Sequence, residues 1–241
     1  AILVKARTTR QMAILEGPEG SGKSLLAKHL QKLVSKSKTL SGFAVFSRSH
    51  QYRPFATICE ACNDICHQLS YLKRQKGSIF VSLQEQLRIA FRDDVSDILF
   101  RLIPSMELIV GLTSMNEESE VDIDRVPLDE RNHARTAVCK FFQILGRFRT
   151  PVLILDDLQY ADRDSLELIK DLMEDKECQS LLVVGCCRVD TEVPMSDFLE
   201  TLESNLEDSG GSFNRVYVGN VGVSAIDAIL VDILYSDSDR G

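Results

Sequence analysis

The chain reads as an α/β protein: a parallel sheet with helices on both faces. Three observations predict it. Short, continuously apolar segments alternate with segments of helical period, the pattern of strands buried on both sides. A glycine-rich turn joins the first of those strands to a helix. A later strand, "PVLILDD", runs through four apolar residues straight into Asp156 and Asp157. A buried strand tolerates charge only at its end, so two neighbouring carboxylates there imply something that binds or uses them.

The elements follow in order. "QMAILEG" (11–17) is a buried strand ending in glycine. "GKSLLAKHLQKLVSK" (22–36) is a helix whose apolar residues, Leu25, Leu26, Leu30, Leu33 and Val34, recur at helical spacing. Lys28, Lys32 and Lys36, spaced four apart, read as its solvated face. "GFAVFSR" (42–48) is the second strand. A mostly helical stretch follows, broken by Gly77, Pro104, Gly111 and an acidic loop at 114–131 that lacks apolar period and is expected to be mobile. The helix "HARTAVCKFFQILGRF" leads to "PVLILDD", and "DSLELIKDLMED" leads to the strand "SLLVVGCCR" (180–188). A helix near 195–206, a Gly/Ser loop, a fifth strand "RVYVGN" (215–220) and a last helix at 224–234 complete the pattern.

Length and composition support one domain with an insertion. The chain has 241 residues, and 44% hydrophobic content is enough for a sizeable core. The expected organisation is one domain over 1–241, with its core at 11–53 and 135–235 and a helical insertion at 54–134. The longest apolar runs, such as "SLLVVG", are too short to span a membrane. The N-terminal order, apolar then basic, is the reverse of a signal peptide. Seven cysteines in no paired framework read as free thiols, so a cytoplasmic location and no membrane partner are expected. The net charge of −8 is uneven. Residues 1–53 hold ten Lys/Arg and two Glu, a local +8, which suits nucleic acid or, equally, the phosphates of a nucleotide.

"GPEGSGKS" (17–24) has the spacing G-x-x-x-x-G-K-S between a strand and a helix, which defines a P-loop. Small residues let the backbone curl so that its N–H groups face phosphate oxygens, and the helix adds its positive dipole end. Gly17, Pro18, Glu19, Gly20, Ser21, Gly22, Lys23, Ser24 and Leu25 are therefore the nucleotide-binding candidates. Lys23 reaches the β- and γ-phosphates, and the Ser24 hydroxyl is a ligand for Mg²⁺. A P-loop calls for a second strand ending in a carboxylate near the metal. Asp156 fits that task, and Asp157, one residue on, points elsewhere and is the candidate to orient or deprotonate the attacking water. Asp162, Asp164 or Ser165 caps the following helix. The "LQYAD" after the acids carries little chemistry of its own on this reading.

Other motifs read as structural. Cys59, Cys62 and Cys66 in "CEACNDICH" fall on one helix face and match neither haem attachment nor a zinc site, so they are expected in the core. "YRPF" (52–55) turns the chain, with Phe55 buried. No nucleophile motif or histidine triad is present.

Taken together, "LILDDLQYADRDSLELI", "GPEGSGKS", "YRPFATI" and "LLVVGCCRVD" resemble the ATPase module of the STAND branch of AAA-related P-loop NTPases. The likeness is to origin-recognition-like ATPase modules embedded in large signalling proteins, and it runs from about Met12 to Leu234. It implies a P-loop NTPase three-layer sandwich with strand order 5-1-4-3-2 and ATP with Mg²⁺ as ligands. Asp157, Lys23 and Arg188 become the catalytic residues, Arg188 sensing the γ-phosphate from the end of the fourth strand. It also implies slow hydrolysis acting as a switch, with ATP/ADP, neighbouring signalling domains and nucleotide-dependent self-association as partners. Two departures stand out: Cys186 and Cys187 occupy the place of a polar sensor, and no helical lid or winged helix precedes Gly241, as in a fragment of a larger protein. The alternatives are a DNA-associated origin-recognition-like ATPase and a small-molecule kinase. An acidic C-terminal half and the lack of a basic winged helix argue against nucleic acid as a partner.

Overall fold

The computed structural model describes residues 2–36, 39–50, 53–74, 78–91, 95–111, 127–189 and 195–219. The helix expected at 224–234, and residues 114–126 of the acidic loop, lie outside them. The chain opens with a helical turn α1 (Ile2–Lys5), strand β1 (Arg10–Gly17), helix α2 (Lys23–Lys36) and strand β2 (Leu40–Val45). Helices α3 (Ala56–Arg74), α4 (Ser78–Ala90), α5 (Val95–Leu102) and α6 (Ser105–Val110) follow β2, and α7 (Leu128–Phe148) returns the chain to the sheet. Strand β3 (Pro151–Asp156), helix α8 (Arg163–Glu174), strand β4 (Leu181–Arg188), helix α9 (Ser196–Asp208) and strand β5 (Ser212–Tyr217) follow.

The five strands run in the order β2-β3-β4-β1-β5, every neighbouring pair parallel. This is the P-loop NTPase order 5-1-4-3-2, read from the other edge. β3 is buried along its whole length and β4 up to Arg188, because helices cover both faces. One face carries the smaller core, Ala13, Val152, Ile154, Leu182 and Val184 beneath α2. The other carries the larger one, which joins Met12, Leu153 and Val183 to Phe141, Leu168 and Leu202 and runs on into α3–α6.

Helix α2 is where expected, but its buried face is not. Ala27 and Val34 are buried with Leu30 packed beside them, whereas Leu25, Leu26 and Leu33 are 70%, 47% and 51% exposed. The cause lies in the preceding loop. Lys23 points inward, which sets the helix rotation, and positions 27, 30 and 34 are those that then face the sheet. Lys28 and Lys32 are exposed as expected.

Helix α3 is fastened to the edge strand β2. The backbone of α3 comes so close to β2 that a Cβ at Gly42 would lie 2.0 Å from the Ala61 carbonyl oxygen. Gln68 accepts from the Ser41 N–H and donates to the Ser41 carbonyl, and Asp64 accepts from the Phe43 N–H. The exposed ladder of the edge strand is thereby paired by side chains rather than by another strand. Cys59, Cys62 and Cys66 are buried in this helix, and burial pushes the Cys59 thiol up to about 12. Phe55 is buried and turns the chain in the left-handed region at φ 62.

Three boundaries move. β2 starts and stops earlier than expected. α7 begins at Leu128, so the end of the acidic run is helical, with Asp129 and Glu130 in the favourable first turn. β5 begins at Ser212 because Gly210 (φ 85) completes a tight turn after α9 and Phe213 is buried beside Met12. No helix among the described residues is long and apolar enough to cross a membrane.

Candidate functional site

All strands point the same way, so their C-terminal ends share one edge of the sheet. Register brings the candidate residues together there. Gly17 pairs with Arg188, Leu15 with Cys186, Leu155 with Gly185 and Val45 with Asp156. Asp156 thus lies beside Cys186, two residues before Arg188, in the crevice where open parallel sheets bind ligands.

The loop at 17–24 is hollow. Gly17 is required by crowding, since a Cβ there would sit 2.1 Å from the Val218 carbonyl oxygen. Gly20 and Gly22 have φ of 76 and 93 and open space where a side chain would be. Their left-handed backbone turns the chain around that space, which a β-carbon would strain. α2 has no acidic residue in its first turn, so its positive end faces the loop unneutralised. Lys23 is buried, and its Nζ donates to the carbonyls of Gly17 (2.9 Å) and Pro18 (2.7 Å) and to Ser21 Oγ (3.2 Å). The ammonium is thus held at the loop by weak neutral acceptors that an anion can replace. Ser24 and Leu25 are exposed, and so are Glu19 and Gly20.

The turn after β3 is filled. Asp156 is 3% exposed, and its Oδ1 accepts the Asp157 N–H at 3.0 Å. Cys186 lies against it, its Sγ 3.9 Å from the Lys23 carbonyl oxygen. Burial, and then the Asp156 charge, push the Cys186 thiol well up, so it stays a neutral packing group. Asp157 sits in the left-handed region at φ 57, ψ 46, a conformation that few residues other than glycine adopt and one that re-aims its carboxylate away from Asp156. Leu158 and Gln159 are buried beneath it.

Gln159 is the residue that sequence reasoning passed over in "LQYAD". Its Nε2 donates to Asp157 Oδ1 at 2.7 Å, and its Oε1 accepts the Arg188 N–H at 3.2 Å. One buried amide therefore ties the end of β3 to the end of β4. The available signal was a polar side chain two residues after an acid pair in an otherwise apolar turn. Tyr160 also has a task, with the Arg48 guanidinium 5.3 Å from its ring centre. Asp162 is the helix cap: Oδ1 accepts the Ser165 N–H at 2.8 Å, and Oδ2 accepts the Ser165 hydroxyl at 2.5 Å.

Arg188 joins the loop to the turn. Its Nη1 is 2.9 Å from Glu19 Oε2 and its Nε 3.6 Å from Asp157 Oδ1. Partial burial would lower its pKa, but Asp157 and then Glu19 outweigh this and raise it. Beside Arg188 a cavity of about 220 Å³ opens between the ends of β1 and β4 and α9, lined in part by Glu16, Met195, Leu199 and Arg215. Arg215 is held there by Glu16 at 3.2 Å and Glu203 at 2.9 Å.

The donor set suits a hard cation shared with phosphate. No group of three or more His, Cys, Asp or Glu gathers to hold a metal among the described residues. Asp156 and Ser24 offer one carboxylate and one hydroxyl, which matches Mg²⁺, an ion usually bound by one or two protein oxygens together with substrate phosphates.

Two comparisons with known proteins bear on the chain. Residues 1–184 match the family described as AAA ATPase domain, a span that contains the loop and both acids and ends within β4. No curated protein matches it.

Proposed function

Because the chain belongs to the AAA ATPase domain family, whose members bind and hydrolyse ATP, we propose that it is a nucleotide-dependent switch of the STAND type: ATP with Mg²⁺ binds at 17–24, and slow hydrolysis resets the arrangement of neighbouring signalling domains. The observation that carries this reading is the meeting, at one sheet edge, of a hollow loop holding Lys23 with Asp156, Asp157 and Arg188. On this reading, residues 1–241 are one NTPase domain, with α3–α6 as the insertion.

Each residue has a separate task. The loop N–H groups and the start of α2 bind the phosphates, and Lys23 exchanges its carbonyl partners for phosphate oxygens. Ser24 and Asp156 hold Mg²⁺, which neutralises charge on the phosphate oxygens. Asp157 orients the attacking water and accepts its proton, and Arg188 offers its fork of donors to the terminal phosphate. Asp157 already accepts a hydrogen bond from Gln159 and faces the Arg188 guanidinium, so it is held in one orientation toward the site.

A titration with ATP, ADP and GTP, followed by single-turnover hydrolysis, tests the assignment. Lys23→Ala is expected to lose nucleotide binding by about a hundredfold or more, at about 3 kcal/mol for a lost charge-assisted contact. Asp157→Asn should bind ATP as the wild type does and lose hydrolysis. Equal loss of binding in both variants would sink the division of roles. Turnover on an acceptor at the rate of a metabolic kinase would sink the switch.

A further inference from the structure

The P-loop carries an acid that its spacing does not require. Glu19 lies at the outer side of the hollow loop with its side chain 71% exposed, yet its carboxylate reaches Arg188 at 2.9 Å. Arg188 is engaged at three points: Nη1 by Glu19, Nε by Asp157 and its backbone N–H by Gln159. Asp157 and Gln159 hold it from the floor of the site. Glu19 holds it from the loop that would carry the phosphates.

We propose that Glu19 is a stand-in for the terminal phosphate, holding Arg188 whenever no γ-phosphate is present and so setting how far the site prefers triphosphate over diphosphate. This rests on the reading above, in which nucleotide occupies the loop and Arg188 faces its terminal phosphate. A diphosphate leaves the Glu19–Arg188 pair intact. A triphosphate must take the guanidinium from Glu19, which then turns to solvent at little cost because it is already exposed. The wild-type chain thereby gives up part of its triphosphate affinity and keeps Arg188 ordered in the diphosphate state. A released Glu19 marks the triphosphate state at the protein surface.

The test is a double-mutant cycle on the full chain, read by calorimetric titration with Mg²⁺ and either ADP or the non-hydrolysable triphosphate AMP-PNP. Glu19→Gln should tighten AMP-PNP about three- to fivefold and leave ADP within about twofold, the size of a partly exposed ion pair. In an Arg188→Ala background the same substitution should change neither. An equal change for both ligands, no change at all, or a triphosphate gain that survives without Arg188 overturns the proposal, the last showing plain charge repulsion. If Lys23→Ala binds both ligands as the wild type does, the nucleotide site itself is wrong and the proposal falls with it.

Discussion

Two strand-to-helix turns stand side by side at the same sheet edge and are built in opposite ways. The turn after β1 is hollow. Its glycines at φ 76 and 93 surround open space, and among the described residues Lys23 bonds only to the loop's own oxygens. The turn after β3 is filled, with Leu158, Gln159 and Asp162 buried and each polar one bonded. The difference follows from what each would handle. A loop that receives phosphate works through backbone N–H groups and must keep its volume free. A turn that aims one carboxylate must fix a side chain, and packing with hydrogen bonds does that.

The contrast can be broken most strongly from the filled side. Leu158→Ala removes a fully buried side chain that packs against Gly185. It should destabilise the protein by about 3 kcal/mol, measured by urea unfolding, with the larger loss in unfolding midpoint of any change considered in either turn. Gln159→Leu keeps the volume and removes both bonds. Nucleotide affinity should stay within about twofold while single-turnover hydrolysis falls about tenfold, because the aim of Asp157 is lost while the Arg188 guanidinium keeps its Glu19 and Asp157 partners. A matching fall in affinity would show that Gln159 merely supports the fold.

The hollow side should respond the other way. Gly22→Ala meets no neighbouring atom, so its cost is the left-handed backbone, about 1 kcal/mol in unfolding free energy, while nucleotide binding falls far more than stability does. The smallest effect is a pH dependence at Asp162. Burial raises its pKa and the Ser165 bonds only partly offset this. An acid whose folded pKa lies above its unfolded value binds more protons when folded, so stability falls as pH rises through that interval. Asp162→Asn keeps a cap and removes the titration. The wild-type minus Asn difference in unfolding free energy should therefore decline with pH just above the ordinary aspartate range, and a flat difference would refute it.

The hollow turn was the more legible of the two. Its glycine spacing is a backbone requirement, and backbone requirements show directly as residue types. The acids at the end of β3 were legible because charge at the end of a buried strand needs a reason. Gln159 was not, since its partners are Asp157, which is local, and Arg188, which is 29 positions away. The buried face of α2 was misjudged for a similar reason. Apolar spacing named Leu25, Leu26 and Leu33, but the inward-facing Lys23 sets the rotation and leaves them exposed.

From the residues alone came the alternation of strands and helices, the phosphate loop, the paired acids and a helix cap at Asp162, Asp164 or Ser165, each a local pattern of hydrophobicity, glycine or charge. The resemblance added the order of the strands, and the tertiary structure bore it out. Only the tertiary structure decided that Glu19 meets Arg188, that Gln159 bridges two strands, that Cys186 lies against Asp156 and that α3 seals the edge of β2. Those contacts arise where parallel strands bring distant residues to one edge, and the register of a sheet is settled by the packing of the whole core rather than by any one segment.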